Sequence, residues 1–342
     1  MMKKIVGFGD MLVSLSPPGY QRFIQASSMD VNYTGAEANV LVSLSCFGMD
    51  TAFVTRLPDN SMGACAVACM KKFGVGTDKI VYGGERIGVI YTEKGASQRP
   101  SKVLYDRKYT SIATAQTTDF DWDKIFDENV AWFHFTGITA ALSDSTAAIC
   151  LEACKAAKAR GITISCDLNY RKNLWSEEKA KSVMEELVRY VDVLIANEED
   201  ADKVLGIKAS DTDVNTGKLN REGYVEVARQ LCETYGVKNV GITLRSSISA
   251  SDNAWSAMLY DGKDSYFSKE YMIHIVNRVG GGDSFTAGLI YALANSYEPQ
   301  RAIEFAAASS CLKHSIEMDF NLVTVDEVEK LAAGDGSGRV QR

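Results

Sequence analysis

The sequence predicts an α/β fold with a mainly parallel central sheet, helices on both of its faces, and a small β-sheet that forms a lid. From residue 130 onward, short apolar runs alternate with helical patterns, as in chains whose parallel strands are joined by crossover helices. Two strand-rich segments, about 11–33 and 86–112, do not fit this alternation. The 342 residues are therefore predicted to form one domain, 1–342, into which the lid segments are inserted.

The first third of the chain carries both lid segments. A buried strand at 3–8 ends in Gly9-Asp10, and segment 11–33 is broken by Pro17-Pro18-Gly19, which is typical of a hairpin. Segment 86–112 holds two strand-like runs joined by a polar loop. Between the segments lie a helix at 35–48, a strand at 52–55 and a helix at 62–73. The two segments are predicted to form one small sheet, and a plain sheet edge without a lid function is the alternative.

The rest of the chain alternates between strands and helices. Predicted strands cover 132–135, 162–168, 193–196 and 240–244, and predicted helices cover 144–160, 177–190, 198–205, 224–235 and 284–294. Ligands of such sheets bind beyond the carboxyl ends of the strands, so we expect the functional residues there or on the lid. The glycine-rich tail, 334–342, is predicted to be flexible.

Composition argues against several classes of function. The net charge of −7 argues against a nucleic-acid partner, because such proteins need a basic surface. No apolar run suits a membrane span or a signal peptide, so the protein is predicted to be cytoplasmic and to have no membrane partner. The three histidines are far apart and the eight cysteines lack CxxC spacing, so no metal ion is expected to be bound directly by side chains.

Three consecutive glycines, Gly280, Gly281 and Gly282, lead into the predicted helix at 284–294. A helix start leaves backbone N–H groups without acceptors and carries the positive end of the helix dipole, and glycine lets a phosphate approach that backbone. Asp283 follows the glycines, where a carboxylate would repel an anion unless it has a chemical task. We expect Asp283 to be the general base that takes a proton from an attacking hydroxyl. The alternative is a tight loop in which Asp283 is an ordinary N-cap residue.

Three motifs resemble the signatures of the ribokinase-like (PfkB) sugar kinases. Residues 277–283, NRVGGGD, resemble the second signature, usually written DTxGAGD; residues 34–39, TGAEAN, resemble GGxxxN; and residues 197–200, NEED, resemble NxxE. Each motif is weak alone, but all three in this order are specific, and the resemblance extends over almost the whole chain. It implies a ribokinase-like three-layer αβα sandwich with ATP and Mg²⁺ as cofactors, and it leaves a monovalent cation open. Exposed apolar faces of the lid segments would be a liability in a monomer, which suggests a homodimer through the lid.

Other stretches resemble the members of this family that phosphorylate 2-keto-3-deoxygluconate, a sugar acid, at its terminal hydroxyl. They are 90–92, 104–107, 167–171 and 319–323. The resemblance implies that the substrate is bound by Gly35, Ala36, Asn39, Tyr91, Tyr105, Arg107, Arg171 and Asp319. It implies nucleotide contacts from Asn197, Asp200, Thr243, Arg245 and Ser310. Mg²⁺ is expected to be held by ATP phosphates and waters near Asn197 and Asp200.

The chemistry of these side chains agrees with a sugar acid. A guanidinium meets a carboxylate through two hydrogen bonds, so Arg107 and Arg171 are the candidates for binding the substrate carboxylate. Tyr91 and Tyr105 offer hydroxyl groups on apolar rings, and Asn39 is able to bond a substrate hydroxyl. The alternatives are arginines solvated at the surface and tyrosines that only pack.

The sequence departs from the family pattern at three points. Asn277 stands in place of the first aspartate of the second signature, Asp200 in place of a glutamate, and Glu317-Met318 precedes Asp319 where a glycine is expected. The first two departures motivate one alternative, a non-catalytic sugar-binding regulator. A second alternative is a fructokinase or other neutral-sugar kinase. A dinucleotide oxidoreductase is not favoured, because no glycine fingerprint follows the first strand.

Overall fold

The computed structural model describes residues 3–197, 199–208 and 221–336. The strands are β1 Lys4–Phe8, β2 Leu12–Ser16, β3 Asp30–Thr34, β4 Thr51–Val54, β5 Arg56–Leu57, β6 Val81–Tyr82, β7 Gly88–Glu93, β8 Lys102–Asp106, β9 Val130–Thr136, β10 Thr163–Asp167, β11 Val193–Asn197, β12 Asn239–Ser247, β13 Asp252–Tyr260, β14 Ser265–Phe267 and β15 Tyr271–His274. The helices are α1 Ala36–Cys46, α2 Ser61–Lys72, α3 Trp122–Ile125, α4 Gly137–Ala140, α5 Asp144–Ala159, α6 Glu177–Leu187, α7 Asp200–Leu205, α8 Arg221–Tyr235, α9 Gly281–Ala294, α10 Pro299–Lys313 and α11 Val325–Ala332.

The large sheet is mainly parallel. Its strands β4, β1, β9, β10, β11 and β12 lie side by side in that order, and all of these pairs are parallel. β13 then pairs antiparallel with β12, and both β14 and β15 pair antiparallel with β13. The predicted parallel sheet is therefore confirmed, while no sequence pattern indicated its antiparallel end.

Helices cover both faces of the large sheet. In β1, Val6 and Phe8 belong to the core shared with α5, α6 and α8, whereas Ile5 belongs to the core shared with α1, α9 and α10. Successive strand residues point to opposite faces, so burial of neighbouring residues requires a helical layer on each side. The three-layer αβα sandwich is confirmed.

The two strand-rich segments form a separate small sheet of order β3-β2-β7-β8. β2 pairs antiparallel with β3, and β7 pairs antiparallel with β8, as expected for two hairpins. β2 and β7 join the hairpins in parallel. β8 is an edge strand, and all five of its residues are exposed. The small sheet exists as predicted, and its action as a lid stays a prediction.

Some element boundaries differ from the predicted ones. α9 begins at Gly281, so two of the three glycines belong to its first turn. α7 begins at Asp200, and residue 198 of the predicted helix lies outside the described residues. Residues 337–342 of the predicted flexible tail lie outside them as well. In the part of the chain that the structure describes, no helix has the length and apolar character needed to cross a membrane.

Candidate active site

A cavity of about 470 Å³ lies at the carboxyl ends of β9, β10, β11 and β12. This is the position expected for a ligand of a parallel sheet. The small sheet contributes Leu12, Ile90, Tyr105 and Arg107 to its wall. The starts of α1 and α9 contribute Gly35, Ala36, Asn39 and residues 278–283.

The three glycines at the start of α9 have different surroundings. Gly280 is the N-cap residue with a left-handed φ of 82°, and a Cβ atom on it would lie 2.1 Å from the backbone oxygen of Asp319. A Cβ atom on Gly281 would lie 2.6 Å from Cε1 of His314, whereas one on Gly282 would meet no atom within 4 Å. Packing therefore requires the first two glycines, and the third leaves the backbone open toward the cavity.

The start of α9 offers free N–H groups to a ligand. Within the described residues, the N–H groups of Gly282 and Asp283 have no backbone acceptor, and no side chain caps the helix. Together with the positive end of the helix dipole, these groups form a site for an anion. Asp283 lies in the first turn and is not the N-cap residue, so the alternative prediction of an ordinary cap is wrong.

Asp283 is held by a chain of hydrogen bonds. Asn39 Nδ2 donates to Asp283 Oδ2 at 2.7 Å, and Thr34 Oγ1 donates to Asn39 Oδ1 at 3.3 Å. Burial raises the pKa of Asp283 to about 6, while the Asn39 hydrogen bond and the charges of Arg171 and Lys313 oppose the rise. A carboxyl group with a pKa near neutrality suits a general base.

Asn39 and Gly35 both line the cavity and also make contacts within the protein. The amide nitrogen and oxygen of Asn39 both bond within the protein, so it positions Asp283, while its contact with a substrate hydroxyl stays a prediction. A Cβ atom on Gly35 would lie 2.1 Å from the backbone oxygen of Asp10. Packing against Asp10 therefore requires this glycine, whether or not a substrate approaches it.

Both predicted carboxylate-binding arginines line the cavity. The Arg107 guanidinium stacks on the Tyr105 ring, 4.1 Å from its centroid, and its Nε is buried with no hydrogen-bond partner among the described residues. Arg171 is exposed, and its Nη1 donates to the backbone oxygen of Tyr170 at 2.8 Å. Its charge lowers the pKa of Asp283 against the effect of burial, so it lies near the predicted base.

Tyr91 is not brought to the cavity. In β7, Ile90 lines the cavity and Tyr91 does not. Because successive side chains of a strand point to opposite faces, Tyr91 lies on the other face of the small sheet. On this strand the cavity is therefore lined by Ile90, an apolar neighbour, and the substrate contact of Tyr91 stays a prediction.

Asp319 and Ser310 lie behind the start of α9 instead of at the cavity surface. Ser310 is fully buried, and its Oγ donates to the backbone oxygen of Gly281 at 2.7 Å. Asp319 is 5% exposed, and its backbone oxygen packs against Gly280. Neither residue lines the cavity in this structure, and their contacts with nucleotide and substrate stay predictions. Both support the glycine loop.

The structure brings four predicted nucleotide residues to the cavity: Asn197, Asp200, Thr243 and Arg245. Asn197 Oδ1 accepts hydrogen bonds from the backbone N–H groups of Glu199 and Asp200 at 2.8 and 3.0 Å, so it fixes the start of α7. Asp200 Oδ1 accepts a hydrogen bond from the backbone of Tyr170 at 3.2 Å. These contacts hold both side chains at the carboxyl end of β11.

Asp167 adds a further carboxylate to the cavity. It ends β10 and accepts a hydrogen bond from the backbone of Asn169 at 3.0 Å. Burial, together with the charges of Asp200 and Asp283, raises its pKa well above the usual range. A divalent cation bound nearby would favour the ionised form of these carboxyl groups. Among the described residues no group of three or more His, Cys, Asp or Glu is arranged to hold a metal.

Lys313 is a buried cation beside the glycine loop. Its side chain is fully buried, and Nζ lies 3.3 Å from the backbone oxygen of Ile316 and 3.5 Å from that of Asn277. Burial lowers its pKa to about 8, although the Asp319 and Asp283 carboxylates oppose this shift. A buried ammonium group requires such compensation.

Three residues at or behind the cavity had no predicted role: Asp167, Arg278 and Lys313. Asp167 lies near the end of the predicted strand 162–168, and Arg278 lies inside the second-signature stretch, so their positions are signals that could have found them. Lys313 carries no comparable signal, because a lysine in a helix normally lies at the surface.

Comparisons with known proteins agree with this geometry. The model of pfkB family carbohydrate kinases matches residues 2–315. A 2-dehydro-3-deoxygalactonokinase of Haloferax volcanii is 30% identical over 338 residues, and the alignment covers 99% of this chain and 99% of the relative. The crystal structure of a 2-dehydro-3-deoxygluconokinase from Thermotoga maritima is 50% identical, with a TM-score of 0.94 over 98% of this chain and 99% of its own. An E. coli protein solved with ATP and Mg²⁺ shares the fold at 18% identity, with a TM-score of 0.79 over 97% of this chain and 99% of its own.

The family model extends over most of the chain, and the Haloferax relative aligns over nearly its full length. The fold, the cavity and the three sequence motifs agree with the same family. The chain belongs to the pfkB family of carbohydrate kinases, which have the ribokinase-like fold.

Proposed function

We propose that this protein phosphorylates 2-keto-3-deoxygluconate at its terminal hydroxyl, with ATP as the phosphoryl donor, to give 2-keto-3-deoxy-6-phosphogluconate. The observation that carries the proposal is that one cavity holds a carboxylate suited to general-base catalysis and two arginines suited to a substrate carboxylate: Asp283, Arg107 and Arg171. The substrate is also called 2-dehydro-3-deoxygluconate, the sugar acid in the name of the T. maritima relative.

Asp283 acts as the proton acceptor in this reaction. As its carboxylate takes the proton of the terminal hydroxyl, the hydroxyl oxygen forms a bond to the γ-phosphorus. The bond from that phosphorus to the bridging oxygen breaks, and its electron pair stays on ADP. The free N–H groups of Gly282 and Asp283 stabilise negative charge on the transferred group. Asn39 keeps the Asp283 carboxylate oriented.

The nucleotide is assigned to the end of the cavity lined by Thr243 and Arg245. Bound Mg²⁺ would neutralise charge on the phosphates, and Asn197, Asp200 and Asp167 would orient its waters. A requirement for a monovalent cation stays a hypothesis. It is tested by comparing the kinase activity in K⁺ with the activity in a bulky organic cation. A cytoplasmic location would supply ATP for this reaction.

The C4 epimer, 2-keto-3-deoxygalactonate, is a second candidate substrate, because the Haloferax relative is named for it. The epimer carries the same carboxylate and the same terminal hydroxyl, so Arg107, Arg171 and Asp283 would serve both acids. A neutral sugar such as fructose has no carboxylate and would offer neither arginine a charged group on the substrate. The arginines therefore favour an acid over a neutral sugar.

An assay that couples ADP release to a spectroscopic signal, run with both acids and with fructose, tests the proposal. The acids are expected to be the better substrates. Arg171→Lys keeps the charge but loses the planar fork, so KM for the acid should rise about 10-fold or more while weak fructose activity stays unchanged. Fructose as the best substrate, or an equal loss on both substrates in Arg171→Lys, would point instead to a neutral-sugar kinase in which Arg171 is structural.

The departures from the family pattern do not favour a non-catalytic regulator. Asn277 Oδ1 accepts a hydrogen bond from the backbone of Val279 at 2.9 Å, a contact that an amide makes as well as a carboxylate. Asp200 reaches the cavity despite its shorter side chain. A wild-type protein that binds the sugar acid and ATP but releases no ADP would support the regulator instead.

We further propose that the small sheet is a lid and that two copies of the chain meet through it. The exposed residues of the edge strand β8 include Val103, Leu104 and Tyr105, and Val31 on the opposite edge strand is 62% exposed. Apolar side chains on unpaired strand edges favour association. Light scattering is expected to show a dimer for the wild type and a monomer for Leu104→Glu. A monomeric wild type would contradict the dimer.

A further inference from the structure

Two arginines at the α9 end of the cavity lack acidic partners. Arg278 is partly buried, and its Nη2 donates to the backbone oxygen of Ala250 at 3.0 Å. Arg245 is exposed at the end of β12. Both line the cavity. Throughout the described ranges, no ion pair with a carboxylate includes either side chain.

Neighbouring contacts place these arginines beside the glycine loop. Arg245 lies opposite Trp255 in the pairing of β12 with β13, and the Trp255 ring lies 5.2 Å from the ring of His314. The His314 ring in turn packs against Gly281 at the start of α9. Burial lowers the pKa of Arg278, and the charge of Arg245 lowers it further, so the two guanidinium groups are near each other.

Like charges near each other, one of them half-buried, are unfavourable until an anion binds between them. The other two cavity arginines differ in this respect. Arg171 lowers the pKa of Asp283 and Arg107 lowers the pKa of Asp10, so each already has a carboxylate nearby. A guanidinium fork suits phosphate oxygens, which it bonds through two parallel N–H groups.

We propose that Arg278 binds the phosphate chain of the nucleoside triphosphate, together with Arg245 and the free N–H groups at the start of α9. The bond to Ala250 fixes one edge of the guanidinium and leaves its other N–H donors for phosphate oxygens. The inference rests on the proposed kinase function and adds to it a nucleotide-binding residue inside the 277–283 stretch.

Calorimetric titration of the full-length protein with ADP and with adenosine tests the inference. Arg278→Gln is expected to weaken ADP binding about 10-fold or more and to leave adenosine binding unchanged. Arg278→Lys, which keeps the charge, should lie between Arg278→Gln and the wild type. Arg189→Gln, whose guanidinium lies over the Tyr235 ring and does not line the cavity, is the matched control and should keep the wild-type Kd for ADP. Circular dichroism of each variant checks the fold.

Unchanged ADP binding in Arg278→Gln would overturn the inference, and so would an equal loss of ADP and adenosine binding, which marks Arg278 as a loop-shaping residue. If the Arg278→Gln protein does not fold, ADP and adenosine binding are compared in Arg278→Lys instead. Sugar-acid phosphorylation by the wild type is measured in parallel. Normal wild-type turnover with no Arg278 effect rejects only this inference, whereas a wild type that does not bind ADP rejects the proposed function too.

Discussion

The acidity of Asp283 depends on a few neighbours. Burial and the charge of Asp319 raise its pKa, and Asn39, Arg171 and Lys313 lower it, to a net value of about 6. A protonated carboxyl group cannot accept a proton, so kcat/KM for the sugar acid is expected to fall as the pH drops through about 6. Asp283→Asn should lower kcat about 10²–10⁴-fold with little change in substrate Kd. Turnover near the wild-type rate in this variant would contradict its role as the base.

Asn39 allows a more specific test of the same site. Its hydrogen bond stabilises the ionised form of Asp283, so Asn39→Ala should raise the pKa of that carboxyl and move the acidic limb of the kcat/KM profile to higher pH. Thr34→Val removes the outer bond of the chain and leaves the bond from Asn39 to Asp283 in place, so it should shift the limb less. A lower rate with an unmoved limb would show that Asn39 does not act on the ionisation of Asp283.

Lys313 predicts a pH-dependent stability. Its pKa falls from 10.5 to about 8 on burial, so between these values the unfolded chain binds more protons than the folded chain. The free energy of unfolding contributed by this group therefore rises with pH. Relative to Lys313→Met, the wild type should gain up to about 3 kcal/mol between neutral pH and about pH 10.5. Urea unfolding of both proteins measures the difference, and a flat difference across this range would contradict a buried, charged Lys313.

Residue type and order were sufficient to place Asp283, Arg107 and Arg171 at the cavity, because motif positions and strand ends are visible in a sequence. Residue type and order were not sufficient to show that Tyr91 and Ser310 do not line the cavity. A strand residue changes face with a shift of one position, so only the pairing of β7 with β2 decides that Ile90 faces the cavity. Ser310 lies on a helix whose rotation is set by packing against α9, and no local pattern records that contact.

At the scale of elements, the three glycines at the start of α9 are expected to respond differently to substitution, because a Cβ atom would meet different neighbours at each of them. Gly282→Val is expected to fold normally, because a Cβ atom there meets nothing within 4 Å, and to lose kcat because the branched side chain enters the anion site. Gly280→Ala should destabilise the protein by at least about 1–2 kcal/mol, the cost of a left-handed residue with a Cβ, before its clash with Asp319 is added. Thermal unfolding and the coupled assay measure both effects.

Folding and turnover of the glycine variants together show whether each glycine serves packing or phosphate binding. An unfolded Gly282→Val protein would show that all three glycines serve packing alone. A folded Gly282→Val protein with normal turnover would show that no phosphate binds over this turn. Gly281→Ala is the intermediate case, because its neighbour is the side chain of His314 rather than a backbone atom.

The parallel part of the sheet was predictable and its antiparallel end was not. The strands from β9 to β12 are apolar runs separated by amphipathic helices, and this spacing is a local property of the chain. β13 is almost wholly buried although its sequence mixes polar and apolar residues, because β12, β14 and β15 flank it and α10 packs on it. Such burial arises from contacts between distant segments, which single-sequence patterns do not encode.

At the scale of the molecule, the cavity lies between two sheets that meet at few points. The chain passes from the large sheet to the small one at 9–11 and returns through Thr34 and Gly35 at the start of α1. The loop between β7 and β8 also reaches the turn before β13, where the N–H of Ala250 donates to the backbone oxygen of Ser97 at 2.7 Å. Ala250 in turn accepts the bond from Arg278, so the small sheet is linked to the α9 end of the cavity.

This linkage predicts that ligands order the small sheet. If it closes over the sugar acid and excludes water, backbone amides of residues 88–106 should exchange hydrogen more slowly when sugar acid and ADP are both present at saturation. α5, which lies on the outer face of the large sheet away from the cavity, is the internal control and should exchange at an unchanged rate. Ser251→Ala removes the Oγ that accepts a hydrogen bond from the N–H of Ser97 at 2.9 Å and should reduce the ligand-dependent slowing. Unchanged exchange in 88–106, with binding of both ligands verified by calorimetry, would contradict closure and leave the small sheet as a fixed wall of the site.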